Sequence, residues 1–200
     1  MRVLLADPDR DLLSGYQRLM EADGDSVKTA FDGTQVLNLL GSGRFDLAIL
    51  NEQLPRIAHE RLIHGLREEH IPVIALLTDP IHIRRLCRTE PASAYLSFPF
   101  FPSELKILSK SVAEKAGSVI RLDCMGVQIE IHDFRFSGSD VFLTANEIDI
   151  LTRLSKEEIY LRRQERVYAH SLNEKLSKLN GSLLRVAYQE KKGYSLVKMI

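Results

Sequence analysis

Short, strand-like runs recur along the first half of the chain: Val3–Ala6, Ser26–Thr29, Leu47–Leu50, Val73–Leu77 and Ala94–Leu96. Between them the apolar residues fall at helical spacing. In "RDLLSGYQRLMEA", Leu12, Leu13, Tyr16, Leu19 and Met20 share one face. "DGTQVLNLLGSG" opens on an acidic turn and stops at glycine, and "HERLIHGLREEH" and "PIHIRRLCRTE" are two more amphipathic stretches. "PSELKILSKSVAEKAG" opens at Pro102–Ser103 and closes at Gly117. Five strands alternating with five helices predict a parallel, doubly wound sheet, with its near-continuous apolar strands covered on both faces.

The period changes after Gly117. "SVIRLDCMGVQIEIHDFRFSGSDVFLT" alternates apolar and polar, with turn signals at Met125-Gly126 and Ser137-Gly138, and predicts an antiparallel meander. Thr144 and Glu147 have capping-box spacing at the start of "TANEIDILTRL". "SKEE" at 155–158 has the same spacing and predicts a second helix running toward Asn180-Gly181. "SLLRVAYQEKKGYSLVKMI" predicts two strands around a charged turn. The pattern divides the chain near 116–118, into domains at 1–116 and 119–200.

Composition narrows the class. The 200 residues are 44% hydrophobic and 27% charged, as in soluble globular proteins, and the formal net charge is zero. Positions 155–200 nevertheless hold ten basic residues against five acidic ones, a weak nucleic-acid signal. Cys87 and Cys124 lie far apart with no metal-ligand spacing, which predicts ordinary thiols in a reduced, cytoplasmic protein. The first apolar run breaks at Asp7, too early for a signal peptide, and no segment approaches the roughly 20 apolar residues of a membrane span.

The residues "RVLLADPD", "FDLAILNEQLP", "IPVIALLT" and "ASAYLSFPF", in that order, resemble the receiver domain of bacterial response regulators. "VFLTANEIDIL" and "KKGYSL" resemble the winged-helix effector domain of the OmpR type. The resemblance implies a flavodoxin-like α/β sheet followed by a small α+β winged-helix domain. It also implies a site at the carboxyl ends of the strands. There, acidic residues hold Mg²⁺, an aspartate accepts a phosphoryl group, and a hydroxyl and a lysine bind its oxygens. A hard cation wants carboxylates and developing phosphoryl charge wants donors.

Position by position, little of that set is present. Asp7 matches the first acidic position, Pro8 stands at the second, and Asp9 is a partial substitute. Asn51 stands at the acceptor position, Leu77 at the hydroxyl position with Thr78 one residue late, and Phe98 at the lysine position. An amide is a poor nucleophile, and an aromatic ring cannot compensate phosphate charge. These changes predict a degenerate pocket, here a pseudo-receiver, with no catalytic residue, no metal and no cofactor. Simpler roles stand beside each reading: Asp7 and Asp9 as caps of the first helix, Asn51 as a turn residue, Phe98, Phe100 and Phe101 as core or interface groups, and Tyr95 as packing. His59, His64, His70 and His82 read as surface groups.

In the second domain, only 16 residues separate Leu154 from Ser171, too few for a full second helix, its connection and the start of a recognition helix. Either the second helix is one turn long or the two helices are fused. Arg162, Arg163, Arg166, Lys175 and Lys178 are candidate DNA contacts on the helix, with Lys191 and Lys192 at the wing tip. Glu157, Glu158, Glu165 and Glu174 interleave with them, so a solvated charged face is the bland alternative. The expected function is that of a phosphorylation-independent, DNA-binding regulator of transcription. Its partners would be double-stranded DNA, a second copy held through the receiver-like domain, and a signalling protein. A signalling adaptor that has lost DNA binding is the alternative. No phosphate loop or nucleophile–base pair marks the sequence as an enzyme.

Overall fold

The computed structural model describes residues 1–79, 83, 86, 92–162, 165–179, 184–190 and 192–198. The chain divides into two compact units, Met1–Glu114 and Lys115–Ile200.

The first unit runs β1 (Arg2–Ala6), α1 (Arg10–Glu21), β2 (Ser26–Ala30), α2 (Gly33–Ser42), β3 (Leu47–Asn51), α3 (His59–Glu68), β4 (Val73–Leu77), β5 (Ala94–Ser97) and α4 (Pro102–Lys115). The strands form one parallel sheet in the order β2-β1-β3-β4-β5. This is the flavodoxin-like doubly wound arrangement, in which β1 and β3 flank the switch point where sites form. Every residue of β3 and β4 is buried, which explains their unbroken apolar character. β3 extends to Asn51, whose backbone pairs with Leu76. The expected helix "PIHIRRLCRTE" lies outside the described residues, except for Ile83 and Leu86, which are helical.

Local chemistry fixes the helix starts. Asp9 caps α1, accepting from the N–H groups of Asp11 and Leu12. Asp32 caps α2 by accepting from Gln35 N–H. At Gly33 an added Cβ would lie 2.6 Å from Ile57 Cβ, so only glycine lets the start of α2 meet the β3–α3 loop.

The second unit contains β6 (Val119–Cys124), β7 (Val127–His132), β8 (Arg135–Phe136), α5 (Ala145–Leu154), α6 (Arg166–Ser177), β9 (Leu184–Gln189) and β10 (Gly193–Lys198). β6-β7-β8 is an antiparallel meander, and β9 and β10 form a hairpin. The Met125-Gly126 turn has positive φ at both residues, as a two-residue hairpin requires. Thr144 and Glu147 close the capping box at the start of α5.

The helix predicted to start at "SKEE" does not start there; α6 (Arg166–Ser177) occupies only the later part of the expected span. Ser155 is the C-cap of α5, and its hydroxyl donates back to Thr152 O at 2.8 Å. Ile159 then forms an antiparallel bridge with Tyr194, each N–H donating to the other's carbonyl. Neither a one-turn helix nor a fused helix fills 155–162: the segment is extended where it meets β10. Sheet pairing has overridden a local capping pattern. The bridge also explains Gly193, whose φ is +89° and whose added Cβ would meet Ile159 O at 2.5 Å.

Candidate functional site

Asp7, Asn51 and Thr78 all stand at the carboxyl end of the parallel sheet, after β1, at the end of β3 and after β4. Asp7 is fully buried and Asn51 is 5% exposed. Asn51 Nδ2 donates to Asp7 Oδ2 at 2.9 Å, and Asp9 N–H donates to Asp7 Oδ1 at 2.8 Å. Asn51 Oδ1 accepts from Gln53 N–H at 2.8 Å. That last bond fixes which end of the amide faces Asp7. Burial pushes the Asp7 carboxyl above its usual value, against the hydrogen bonds from Asn51 and Asp9.

Glu52, next along the chain, was not singled out by the sequence. Its Oε1 accepts from both the N–H and the hydroxyl of Thr78, each at 2.5 Å. Gln53 Nε2 reaches the same hydroxyl at 3.5 Å. The ends of β1, β3 and β4 are therefore tied together by the chain's own side chains. The turn reading of Asn51 is present in its bond to Gln53. Its bond to Asp7 depends on strand order, which no local pattern encodes.

A divalent cation fits this donor set poorly. Both Asp7 oxygens already accept hydrogen bonds, Asn51 presents an N–H to Asp7, and the Asp9 carboxylate is turned to the start of α1. Mg²⁺ keeps several waters and is ordinarily held by one or two carboxylates, and here the Asp7 carboxylate faces an amide donor where the resemblance implies a second carboxylate. Phe98 is half-buried with its ring 4.7 Å from Phe100, and Phe100 stacks on Tyr16 at 5.8 Å. Burial, then the charges of Asp7 and Asp9, raise the Tyr16 hydroxyl pKa. Phe101 stands apart, 75% exposed. Tyr95 is buried, and its hydroxyl accepts from Ala92 N–H at 2.9 Å, a packing role.

His59 corrects the surface reading of the histidines. It is 7% exposed at the start of α3, its Nε2 has no partner among the described residues, and burial lowers its pKa. His82 lies outside the described residues. Cys124 is buried, and desolvation followed by Asp123 pushes its thiol up to about 11, which leaves it inert as a nucleophile. Cys87 is outside the described residues.

In the second unit the candidate cations separate. Arg162, Arg166, Lys178 and Lys192 are exposed. Arg163 and Lys191 lie outside the described residues. Lys175 is a correction: it is 7% exposed, and its Nζ donates to Glu147 at 2.9 and 2.7 Å. Its charge is used inside the unit, joining α6 to the capping box of α5, and is not presented to a phosphate. The helical spacing that made it a candidate fits an inward face equally well. Glu165 accepts from Arg162 N–H and from Arg153 at 2.8 Å. Burial acts to raise its carboxyl pKa, and these two partners outweigh it and hold the group below its usual value. On the outer face of α6, His170 faces Glu174 at 3.3 Å. Arg185, on β9, is an exposed cation that the sequence reading left out.

No family model matches the chain. The transcriptional regulatory protein PrrA of Mycobacterium tuberculosis is 29% identical over 167 residues, covering 78% of this chain and 72% of PrrA. The receiver domain of a Francisella response regulator is 27% identical with a TM-score of 0.51, over 56% of this chain and 96% of that domain. A RitR mutant structure covers 98% of this chain and 99% of its own, with a TM-score of 0.63 at 17% identity, a likeness of fold. The homologues are thus transcriptional regulatory proteins, and the fold of the first unit is that of a receiver. No described helix is long and apolar enough to cross a membrane.

Proposed function

We propose that the chain is a cytoplasmic regulator of transcription whose receiver-like unit works without phosphorylation. The observation that carries this reading is the bond from Asn51 Nδ2 to Asp7 Oδ2. The position that would hold a nucleophilic carboxylate holds a hydrogen-bond donor instead, and the donor is already engaged. Glu52 supports the same reading, because its carboxylate occupies the donors of Thr78. The receiver-like unit then serves as a platform that joins two copies, through the face of its last two helices and last strand. Two effector units held together read two half-sites with raised effective concentration.

DNA contact is assigned to Arg162, Arg163, Arg166 and Lys178 around α6 and to Lys191 and Lys192 at the hairpin turn. The similarity to PrrA, a transcriptional regulatory protein, supports a DNA-binding role for the chain. Binding of the full chain to genomic fragments, measured before and after treatment with a small acyl phosphodonor and Mg²⁺, tests it. Sequence-preferring binding by a dimer, with equal affinity in both states, is the expected result. Binding that appears only after treatment contradicts it. The adaptor reading draws on the inward Lys175, which removes one candidate cation from α6, and on the His170–Glu174 pair on its outer face. Recovery of a protein partner by a chain indifferent to charge reversal at Arg162 and Arg166 would favour that reading.

A further inference from the structure

The β9–β10 hairpin carries a group of tyrosines at its turn end, and the cations around α6 do not account for it. Tyr188 and Tyr194 stand directly opposite one another in the register, with ring centroids 5.2 Å apart. Tyr188 is 62% exposed. Tyr160, beside the Ile159–Tyr194 bridge, is 69% exposed, and its Cδ1 lies 3.4 Å from where a Cβ on Gly193 would sit. Three aromatic rings therefore surround the end of one hairpin. The Tyr188–Tyr194 pair adds a modest cross-strand term to the hairpin, while the exposed faces of Tyr188 and Tyr160 contribute little to a core.

The charge beside these rings has one sign. Positions 184–198 hold four basic residues, Arg185, Lys191, Lys192 and Lys198, against the single acidic Glu190. Arg185, Lys192 and Lys198 are exposed. Cations interleaved with accessible rings match a polyanion that also presents flat, stackable faces, and nucleic acid has both. α6, meanwhile, has turned Lys175 inward and engaged His170 with Glu174, which leaves Arg166 and Lys178, at its two ends, as its exposed candidate cations among the described residues. We propose that the tyrosine end of the hairpin is the principal base-contacting element of this chain. Tyr188 and Tyr194 would wedge against sugars and bases in a groove of duplex DNA while Lys192 holds the adjacent phosphate.

The inference rests on the DNA-binding reading above, and the test separates the two. Binding of the full chain to a short mixed-sequence duplex is followed across a salt series by anisotropy of labelled DNA. Tyr188→Ala is expected to weaken binding about tenfold at every salt concentration and leave the salt slope unchanged, because stacking releases no counterions. Tyr188→Phe keeps the ring and is expected to retain affinity. Lys192→Ala is expected to lower the slope by about one. The unaltered chain supplies a readout that needs no variant: it has no tryptophan, so its emission is from tyrosine and is expected to fall on binding. Binding by Tyr188→Ala equal to that of the unaltered chain, or unchanged tyrosine emission on binding, overturns the hairpin assignment and leaves the regulator reading standing. Absence of duplex binding by the unaltered chain removes both.

Discussion

At the carboxyl end of the parallel sheet, Asp7, Asn51, Glu52 and Thr78 direct their polar atoms at one another. Around the β9–β10 hairpin, Arg185, Lys192 and Tyr188 are left facing water. Both regions lie where a related fold would place ligand-contacting groups, and they differ in what the chain has done with them. The first has closed on itself with internal hydrogen bonds and an aromatic run. The second keeps charge and rings at the surface, and uses one former candidate, Lys175, for internal cohesion. Residue type alone separates these outcomes at Asn51, where an amide cannot do a carboxylate's chemistry. At Lys175 only the partner decides, because a lysine suits a phosphate and a buried glutamate equally well.

The largest effect is expected at the internal lysine. Lys175→Met leaves Glu147, which is fully buried, without its counter-charge. The second unit is expected to lose about 3–5 kcal/mol in denaturant unfolding. A loss no larger than that of an exposed lysine would return Lys175 to the surface set.

Asn51→Asp probes the closed end of the sheet. It removes the donor to Asp7 and sets a second carboxylate against a buried one, with an expected cost of about 2–3 kcal/mol at neutral pH. The repulsion raises the folded-state pKa of the pair above its unfolded value. Stability is therefore lost as pH rises through that folded pKa and recovered on acidification. The variant should accordingly gain on the unaltered chain as the pH falls, in a melting series. A variant that is stable at neutral pH and further stabilised by Mg²⁺ would mean that the site retains a metal-binding geometry.

Gly193→Ala tests whether the pairing of Ile159 with the hairpin holds the second unit in register. With φ at +89° and Ile159 O at 2.5 Å from the added carbon, a cost of about 2 kcal/mol is expected. Hydrogen exchange at the Ile159 and Tyr194 amides should rise with it. The smallest effect belongs to Asp9→Ala. Losing the cap of α1 should cost about 1 kcal/mol whether or not Mg²⁺ is added. A cost that appears only with Mg²⁺ present would make Asp9 a ligand rather than a cap.

Much of the first unit was legible because its signals are periodic. Unbroken apolar strands, caps at Asp9 and Asp32, and amphipathic helices all point to one doubly wound sheet. The capping box at Thr144 was legible for the same reason, since a spacing of three residues encodes it completely. "SKEE" carries the same spacing and misleads. Ser155 closes one helix there instead of opening another, and the Ile159–Tyr194 bridge, 35 positions apart in the chain, takes the segment. Contacts between distant positions set the rest: the Asn51–Asp7 bond, the Glu52–Thr78 clasp and the inward Lys175 each join residues on different elements. Local pattern gives the type of residue at such a place and not its partner. His59 shows the limit in reverse, because a histidine that opens a polar helix looks exposed until β3 covers it.

On this reading the closed end of the sheet takes no phosphoryl group. Incubation of the full chain with a small acyl phosphodonor and Mg²⁺, followed by intact-mass measurement, tests it most directly. The unaltered chain is expected to keep its mass at all donor concentrations, and Asn51→Asp is expected to do the same because Phe98 and the engaged Thr78 remain. A metal-dependent phosphoryl adduct on either chain would contradict the account.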